Sequence, residues 1–453
     1  MVDHSPQTEA ESGRTLIVGL GLTGISCARY LSARNIPAVI IDSRARPPGL
    51  SILREQMFGV SLVTGGFDPL VFISADRIVV SPGVAVDEPQ ILAARKRGVE
   101  IIGDIELFAR EVAAPVVAVT GSNGKSTVTT LLGEMARKAG RQVAVGGNLG
   151  PPALDLLADE VDLYALELSS FQLETTSSLR PKVAVVLNLS PDHLDRYAGF
   201  AEYAATKMSI YADAEIRLYN RDDTGLLALR ESRQSDIYFT LQEPGPDEFG
   251  LRLQDGGEWF CHGLKALLPI AQMSLPGRHN LANALAALAL GHAMELPMPA
   301  MLEALRTFSG LPHRSQFVAE KNRVRWYNDS KATNVGACVA ALQGMATKTG
   351  GIVLIAGGES KDADFAELTA AVVGRVRTVV LIGRDAALLE DALSGVIPVV
   401  HAPDMTDAVA QAHALAEPGD LVLLSPACAS HDMFRSFAHR GEVFMDSVKR
   451  LLA

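Results

Sequence analysis

Val116-Val-Ala-Val-Thr120 runs directly into Gly121-Ser-Asn-Gly124-Lys125-Ser126-Thr127, and this junction decides the fold. The first five residues are a short β-branched run, the signature of a buried strand. Gly121 and Gly124 let the next stretch turn so that several N–H groups face one point, the geometry that cradles phosphate oxygens. Lys125 can reach β- and γ-phosphates, and a hydroxyl from Ser126 or Thr127 can bind Mg²⁺. Val119 stands where the general phosphate-loop pattern has its first glycine, so the loop is shorter than the standard one. The plain alternative is a Gly/Ser turn that carries a lysine. A strand feeding a phosphate loop and then a helix opens a parallel α/β unit.

The same texture extends in both directions. Leu163–Leu168 and Val183–Leu189 read as further strands. They place Glu167 and Ser169-Ser170-Phe171-Gln172 after one, and Pro191-Asp-His193-Leu-Asp195 after the other, where catalytic groups of open α/β sheets lie. Taken singly, His193 reads as a hydrogen-bonded residue at a strand end; beside a phosphate loop it reads as a candidate ligand. Towards the N-terminus, Thr15–Val18 leads into Gly19-Leu-Gly21-Leu-Thr-Gly24, and Ala38–Ile41 ends at Asp42. Glycines at a helix start and an acid after the next strand suit a nucleotide diphosphate of any kind, NAD included. Towards the C-terminus, strand-like Ile352–Ala356, Thr378–Ile382 and Leu421–Leu424 alternate with loops rich in Arg, Lys and hydroxyls. Among them are Leu311–Arg314, Asn328–Asn334, Gly357–Lys361 and Ser425–Ser430, which suit anionic ligands. The expected fold is α/β in three domains. Residues 1–110 form a Rossmann-like domain, 111–309 a central phosphate-loop ATPase-type domain with a mainly parallel sheet, and 310–453 a second Rossmann-like domain.

The chain has 453 residues, 48% of them hydrophobic, with a net charge of −11. That length exceeds one ordinary core. The acidic balance and the lack of a Lys/Arg cluster argue against nucleic acid. The apolar run Leu281–Ala293 is interrupted by Asn283 and is too short to span a bilayer. With a polar N-terminus, this predicts a cytoplasmic protein without membrane contact. Cys27, Cys261, Cys338 and Cys428 are widely spaced and read as buried thiols.

The motifs together resemble the Mur ligases. TGSNGKST (Thr120–Thr127), GNLG (Gly147–Gly150), ELSSFQLE (Glu167–Glu174), SPDHLDRY (Ser190–Tyr197), GRHN (Gly277–Asn280), GLPHR (Gly310–Arg314), YNDSKATN (Tyr327–Asn334) and LSPACAS (Leu424–Ser430) follow that family's order. Within it, SSFQLETTSSL and NDSKATNVGA look most like the members that join glutamate to a UDP-linked muramoyl-alanine. The resemblance implies that the first domain binds the UDP of the substrate and not NAD, with Leu22, Thr23, Asp42, Ser43, Arg44 and Ser81 contacting it. Asn148, Ser169 and His193 match the muramoyl-alanine channel. Gly121, Ser122, Asn123, Gly124, Lys125, Ser126, Thr127, Asn280, Arg314, Asp329 and Lys331 match groups around ATP. Ser126, Glu167, His193 and Lys207, the last carried as a carbamate, match those around Mg²⁺. Thr333, Lys361, Ser430 and Phe437 match the D-glutamate site. Without the resemblance, Lys207 would read as a helical lysine reaching out to solvent.

Two positions depart from the family pattern. Glu359-Ser360 replaces the usual Asp-Gly, and His431 fills a usually apolar position; both bear on whether D- or L-glutamate is taken. The implied chemistry is an acyl phosphate formed from ATP and then displaced by an amine, with Lys125 and Mg²⁺ neutralising the charge and His193 or Asp329 accepting the amine proton. A monomer is expected. The rivals are a related Mur ligase or folylpolyglutamate synthase with another acceptor, an NAD-dependent dehydrogenase, and a nucleotide-gated binding protein.

Overall fold

The structure, a computed structural model, describes residues 14–57, 59–275, 277–345, 350–360 and 363–452. Its strands fall into three sheets. The first comprises β1 (Thr15–Val18), β2 (Ala38–Asp42), β3 (Ser61–Thr64), β4 (Arg77–Val80) and β5 (Glu100–Ile102), in the order β3-β2-β1-β4-β5. All its neighbours are parallel. Val18 stands opposite Ile41 and Val80, so Gly19, Asp42 and Ser81 emerge at one edge, at the point where the strand order reverses. Gly24 follows at the packed start of the helix Leu22–Ala33; a Cβ there would lie 2.0 Å from the Gly19 carbonyl oxygen. This close approach is what the third glycine of the motif provides.

The second sheet contains β6 (Val116–Thr120), β7 (Val143–Gly147), β8 (Leu163–Glu167), β9 (Val183–Val186), β10 (Ile216–Asn220), β11 (Asp236–Phe239), β12 (Phe249–Gln254), β13 (Gly257–His262) and β14 (Lys265–Pro269). Its order is β14-β13-β12-β11-β10-β9-β6-β8-β7. β6 and β8 are buried along their whole length, as uninterrupted apolar runs require. The β12–β14 pairs are antiparallel. The third sheet holds β15 (Gln316–Lys321), β16 (Val324–Asn328), β17 (Ile352–Gly357), β18 (Val376–Ile382), β19 (Val399–His401) and β20 (Leu421–Leu424), in the order β15-β16-β20-β17-β18-β19. Apart from the antiparallel β15–β16 hairpin it is parallel. Asn328, Leu424 and Ile355 are in register, which sets the loops after β16, β20 and β17 side by side. The fold is thus the expected α/β in three sheet domains, mostly parallel.

By contact density the chain forms two compact units. One runs through Thr120 and adds Arg141–Val185 and Thr206–Arg217; the other takes Gly121–Gly140, Val186–Ala205 and everything from Leu218 on. Among the described residues no helix is long and apolar enough to cross a membrane.

Candidate active site

The phosphate loop lies in the second unit. Gly121 and Gly124 take φ of +141° and +86°, and the helix Lys125–Lys138 starts at once behind them. The loop is gripped from the segment after β9. Asn188 Oδ1 accepts from the Asn123 N–H at 2.8 Å and its Nδ2 donates to the Asn123 carbonyl at 3.0 Å. The Ser122 N–H donates to the Asn188 carbonyl at 3.0 Å. The Ser122 hydroxyl donates to the Ser190 carbonyl at 2.9 Å and lies 3.0 Å from Tyr203 Oη. Lys125 Nζ folds back onto the loop, donating to the Gly121 and Ser122 carbonyls at 2.7 and 2.9 Å. Ser126 Oγ accepts from Arg314 Nη2 at 2.8 Å.

Seven of the residues expected around ATP, Asn123, Gly124, Thr127, Asn280, Arg314, Asp329 and Lys331, line one cleft of about 300 Å³. Asp329 is buried, with Oδ1 accepting from the Ser315 N–H at 3.0 Å and Oδ2 from the Ser425 hydroxyl at 2.9 Å. Burial pushes its carboxyl up to about 6, against the pull of those two bonds and of the Arg314 charge. Lys331 Nζ sits 4.0 Å from the centre of the Phe437 ring, a cation–π contact.

A second cavity of about 190 Å³ brings His193 and Thr333 together, with Ser190, Asp192, Asn334 and Ser360 in its wall. Asp192 Oδ1 accepts from the His193 N–H at 3.0 Å. Phe437, expected with Thr333, lies under Lys331, and its carbonyl accepts from the Ser330 hydroxyl at 2.8 Å. Ser430 is buried and follows the Glu359–Ala429 backbone bridge. Lys361 lies outside the described residues. Of the two departures, Ser360 gives both its N–H and its hydroxyl to Asp385 Oδ2, at 2.8 and 2.9 Å. Glu359 pairs with Arg384 at 3.1 Å, and His431 is exposed.

In the first unit, Leu22, Thr23, Asp42, Ser43, Arg44, Ser81 and Asn148 line a cleft of about 470 Å³ together with Gly147, Gly150 and Gln172. Asp42 is engaged by its own chain. Its Oδ2 accepts from the Leu20 N–H at 2.7 Å and from Arg44 Nη2 at 2.7 Å, and its Oδ1 from the Arg44 N–H and Nε at 2.9 Å. Burial alone would raise this carboxyl, but the Arg44 side chain and the backbone N–H groups outweigh it and hold it below its ordinary range. Ser169 is not in the cleft wall. It caps the short helix Ser170–Leu173, exchanging hydrogen bonds with Gln172. His193, also expected in the channel, belongs to the other unit.

The residues expected to hold a cation divide likewise, Glu167 and Lys207 in the first unit, Ser126 and His193 in the second. Glu167 is 2% exposed and its Oε1 accepts from Asn148 Nδ2 at 2.7 Å, an oriented hard donor that suits Mg²⁺. Lys207, on the helix Phe200–Met208, is also 2% exposed, so it does not reach out to solvent. Its Nζ donates to Thr120 Oγ1 at 3.3 Å. Among the described residues no three His, Cys, Asp or Glu side chains group as a metal cluster.

Sequence reasoning missed Asn188, His279 and Asn283, all in the wall of the 300 Å³ cleft. The signal for Asn283 was on view: a polar side chain between Leu281 and the apolar run Ala284–Leu290 of a helix that packs against the phosphate-loop helix. Asn188 stood in a run read as strand to Leu189, but β9 ends at Val186 and the residues after it turn to hold the loop.

Three family profiles match in chain order: Mur ligase MurD-like N-terminal domain over residues 13–103, Mur ligase middle domain over 119–291, and Mur ligase glutamate ligase domain over 313–428. The UDP-N-acetylmuramoylalanine–D-glutamate ligase of Nitrosococcus oceani is 52% identical over 449 residues, covering 99% of this chain and 98% of that protein. The protein of the same name from Pseudomonas aeruginosa is 50% identical over 437 residues, covering 96% and 98%. Among solved structures, UDP-N-acetylmuramate-alanine ligase MurC of Thermotoga maritima superposes with a TM-score of 0.63 at 17% identity, over 97% of this chain and 100% of that one. The MurF ligase of the same organism, solved with ADP, gives a TM-score of 0.61 at 16% identity, over 92% and 96%. These two likenesses concern the fold.

Proposed function

The chain belongs to the Mur ligase family, and from that premise we propose that it joins D-glutamate to UDP-N-acetylmuramoyl-L-alanine, with ATP cleaved to ADP and phosphate, as a step of peptidoglycan synthesis. The observation that carries this reading is the 300 Å³ cleft in which phosphate-loop residues Asn123, Gly124 and Thr127 share one wall with Arg314, Asp329 and Lys331. In this reading residues 1–110 hold the UDP substrate, 111–309 the ATP and 310–453 the glutamate.

The alanine carboxylate attacks the γ-phosphorus of ATP, ADP leaves, and an acyl phosphate forms. Two anions meet in that step, so neutralisation and alignment dominate. Lys125 exchanges the two loop carbonyls for phosphate oxygens, and Arg314 supplies a second, planar cation. Mg²⁺, when bound, neutralises further phosphate charge; Ser126, Glu167, His193 and Lys207 as a carbamate would hold it. The glutamate amine then attacks the acyl carbon and phosphate leaves from the tetrahedral intermediate. His193 is the better candidate for the amine proton, because it shares a cavity with Thr333 whereas both Asp329 oxygens are engaged. Leu22, Thr23, Asp42, Ser43, Arg44, Ser81 and Asn148 receive the UDP-sugar, with Ser169 acting through Gln172. Thr333, Lys361, Ser430 and Phe437 receive glutamate.

The deciding assay is phosphate release that requires UDP-N-acetylmuramoyl-L-alanine and D-glutamate together, with the amide product identified by mass. Release with L-glutamate alone would transfer the chain to another specificity. Release indifferent to the UDP compound would favour a folylpolyglutamate synthase-like acceptor.

A further inference from the structure

Asn334 stands at a junction that the mechanism above leaves without a role. It precedes the helix Val335–Gly344 in extended conformation, and its Oδ1 caps that helix by accepting from the Ala337 N–H at 2.8 Å. The cap fixes which way the carboxamide faces, because only the oxygen can accept. Its Nδ2 therefore points outward, donating to Asp192 Oδ2 at 3.1 Å and to Asn123 Oδ1 at 3.4 Å. Asp192 in turn receives the His193 N–H, and its Oδ2 lies 3.7 Å from His193 Nε2. His193 has φ of +55°, a left-handed conformation that a non-glycine residue keeps only when its surroundings impose it.

We propose that Asn334 is a positioning residue, which through Asp192 holds the His193 loop, and through Asn123 the phosphate loop, against the segment that carries Thr333. The proposal rests on the ligase reading for its catalytic consequence. One carboxamide spans three functional segments, so its loss displaces them relative to one another without emptying any site.

Asn334→Ser keeps a capping oxygen, since Ser and Asn are equivalent at this position, but lacks the outward donor. It is expected to melt with the wild type while kcat falls roughly tenfold or more, the scale of a small misplacement of reacting groups. Asn334→Asp sets a carboxylate against Asp192 and is expected to fall further. Adding Asp192→Asn to it restores the bond with donor and acceptor exchanged, and should return kcat to at least about tenfold above Asn334→Asp alone. Hydrogen exchange at the His193 amide needs no turnover; it should quicken roughly tenfold in Asn334→Ser and slow again in the exchanged pair. A wild type without D-glutamate-dependent phosphate release removes the ligase reading, while exchange at His193 still decides the positioning role. That role is overturned if Asn334→Ser has kcat and His193 exchange within about twofold of wild type, or if the exchanged pair is no better than Asn334→Asp.

Discussion

At Lys207 the bare helix pattern and the surroundings disagree most. Its amine is buried and donates to Thr120 Oγ1, whose own hydrogen goes to the Leu168 carbonyl at 2.7 Å. It is thereby held at the end of β6, one residue before the phosphate loop. If it serves as a carbamate, Lys207→Ala removes an anionic oxygen. Activity should drop by roughly 10²-fold or more, and formate or acetate should partly restore it. Restoration by methylamine instead would mean that a cation was lost. Asp329 makes a different prediction. An acid raised from 3.8 to about 6 holds a proton in the folded chain that the unfolded chain has released. Its contribution to stability therefore falls as pH rises through that window, and is constant below and above it. Asp329→Asn lacks this term. The unfolding free energy of the variant minus that of wild type, from denaturant titrations, should rise between about pH 4 and about pH 7, with a ceiling of roughly 3 kcal/mol. An equal difference at both ends would place the titration elsewhere.

At the scale of elements, the helix Phe437–Leu452 is anchored by one side chain in its first turn. Arg440 is 1% exposed. Its Nε donates to Ser330 Oγ at 3.0 Å, Nη1 to the Cys428 and Ala429 carbonyls at 3.1 Å, and Nη2 to the Ser330 carbonyl at 2.9 Å. Burial lowers its pKa to about 10, yet it remains a cation at neutral pH. Arg440→Met would strand those acceptors, each at a cost of about 1–3 kcal/mol. Thermal unfolding should show a loss of roughly 3 kcal/mol or more, with Arg440→Lys intermediate because an ammonium lacks the planar fork. A Met variant as stable as wild type would mean that water replaces the guanidinium. In the phosphate loop, Gly124 pairs a positive φ with a Cβ position 2.4 Å from Asn283 Oδ1. Gly124→Ala should raise the ATP KM at least about tenfold, through strain and displacement of that amide; an unchanged KM would show that the loop yields freely. The antiparallel hairpins were legible but unread. Asp255-Gly256 joins β12 to β13 with both φ positive, and Asn322-Arg323 does the same between β15 and β16, the turn that Asp-Gly most strongly signals.

Over the whole molecule, the proposed reading assigns two anionic ligands to clefts of about 470 and 300 Å³ on a chain of net charge −11. Binding must then come from local groups such as Arg44, Lys125 and Arg314 and not from the long-range field. Each ligand that binds only the folded chain should raise its melting temperature, by the equivalent of about 2.7 kcal/mol at a hundredfold excess over Kd. UDP-N-acetylmuramoyl-L-alanine should do so and NADH should not. A shift with NADH and none with the UDP compound would reassign the first domain to a dinucleotide.

The strand–loop–helix junctions, the α/β class in three sheets, the family and the reaction type were determined by the sequence alone. They rest on periodicity, on glycines at fixed offsets and on short motifs, which act within a few residues. Tertiary structure decided what those residues touch. Asn188 grips a loop 65 positions away, and Arg314 reaches Ser126 across 188. Asp42 is taken up by Arg44 and Leu20, and Lys207 is buried where its helix pattern allowed exposure. Such contacts depend on which strands become neighbours. Strand order is a property of the whole packed chain, because burial is shared among segments that no local pattern connects.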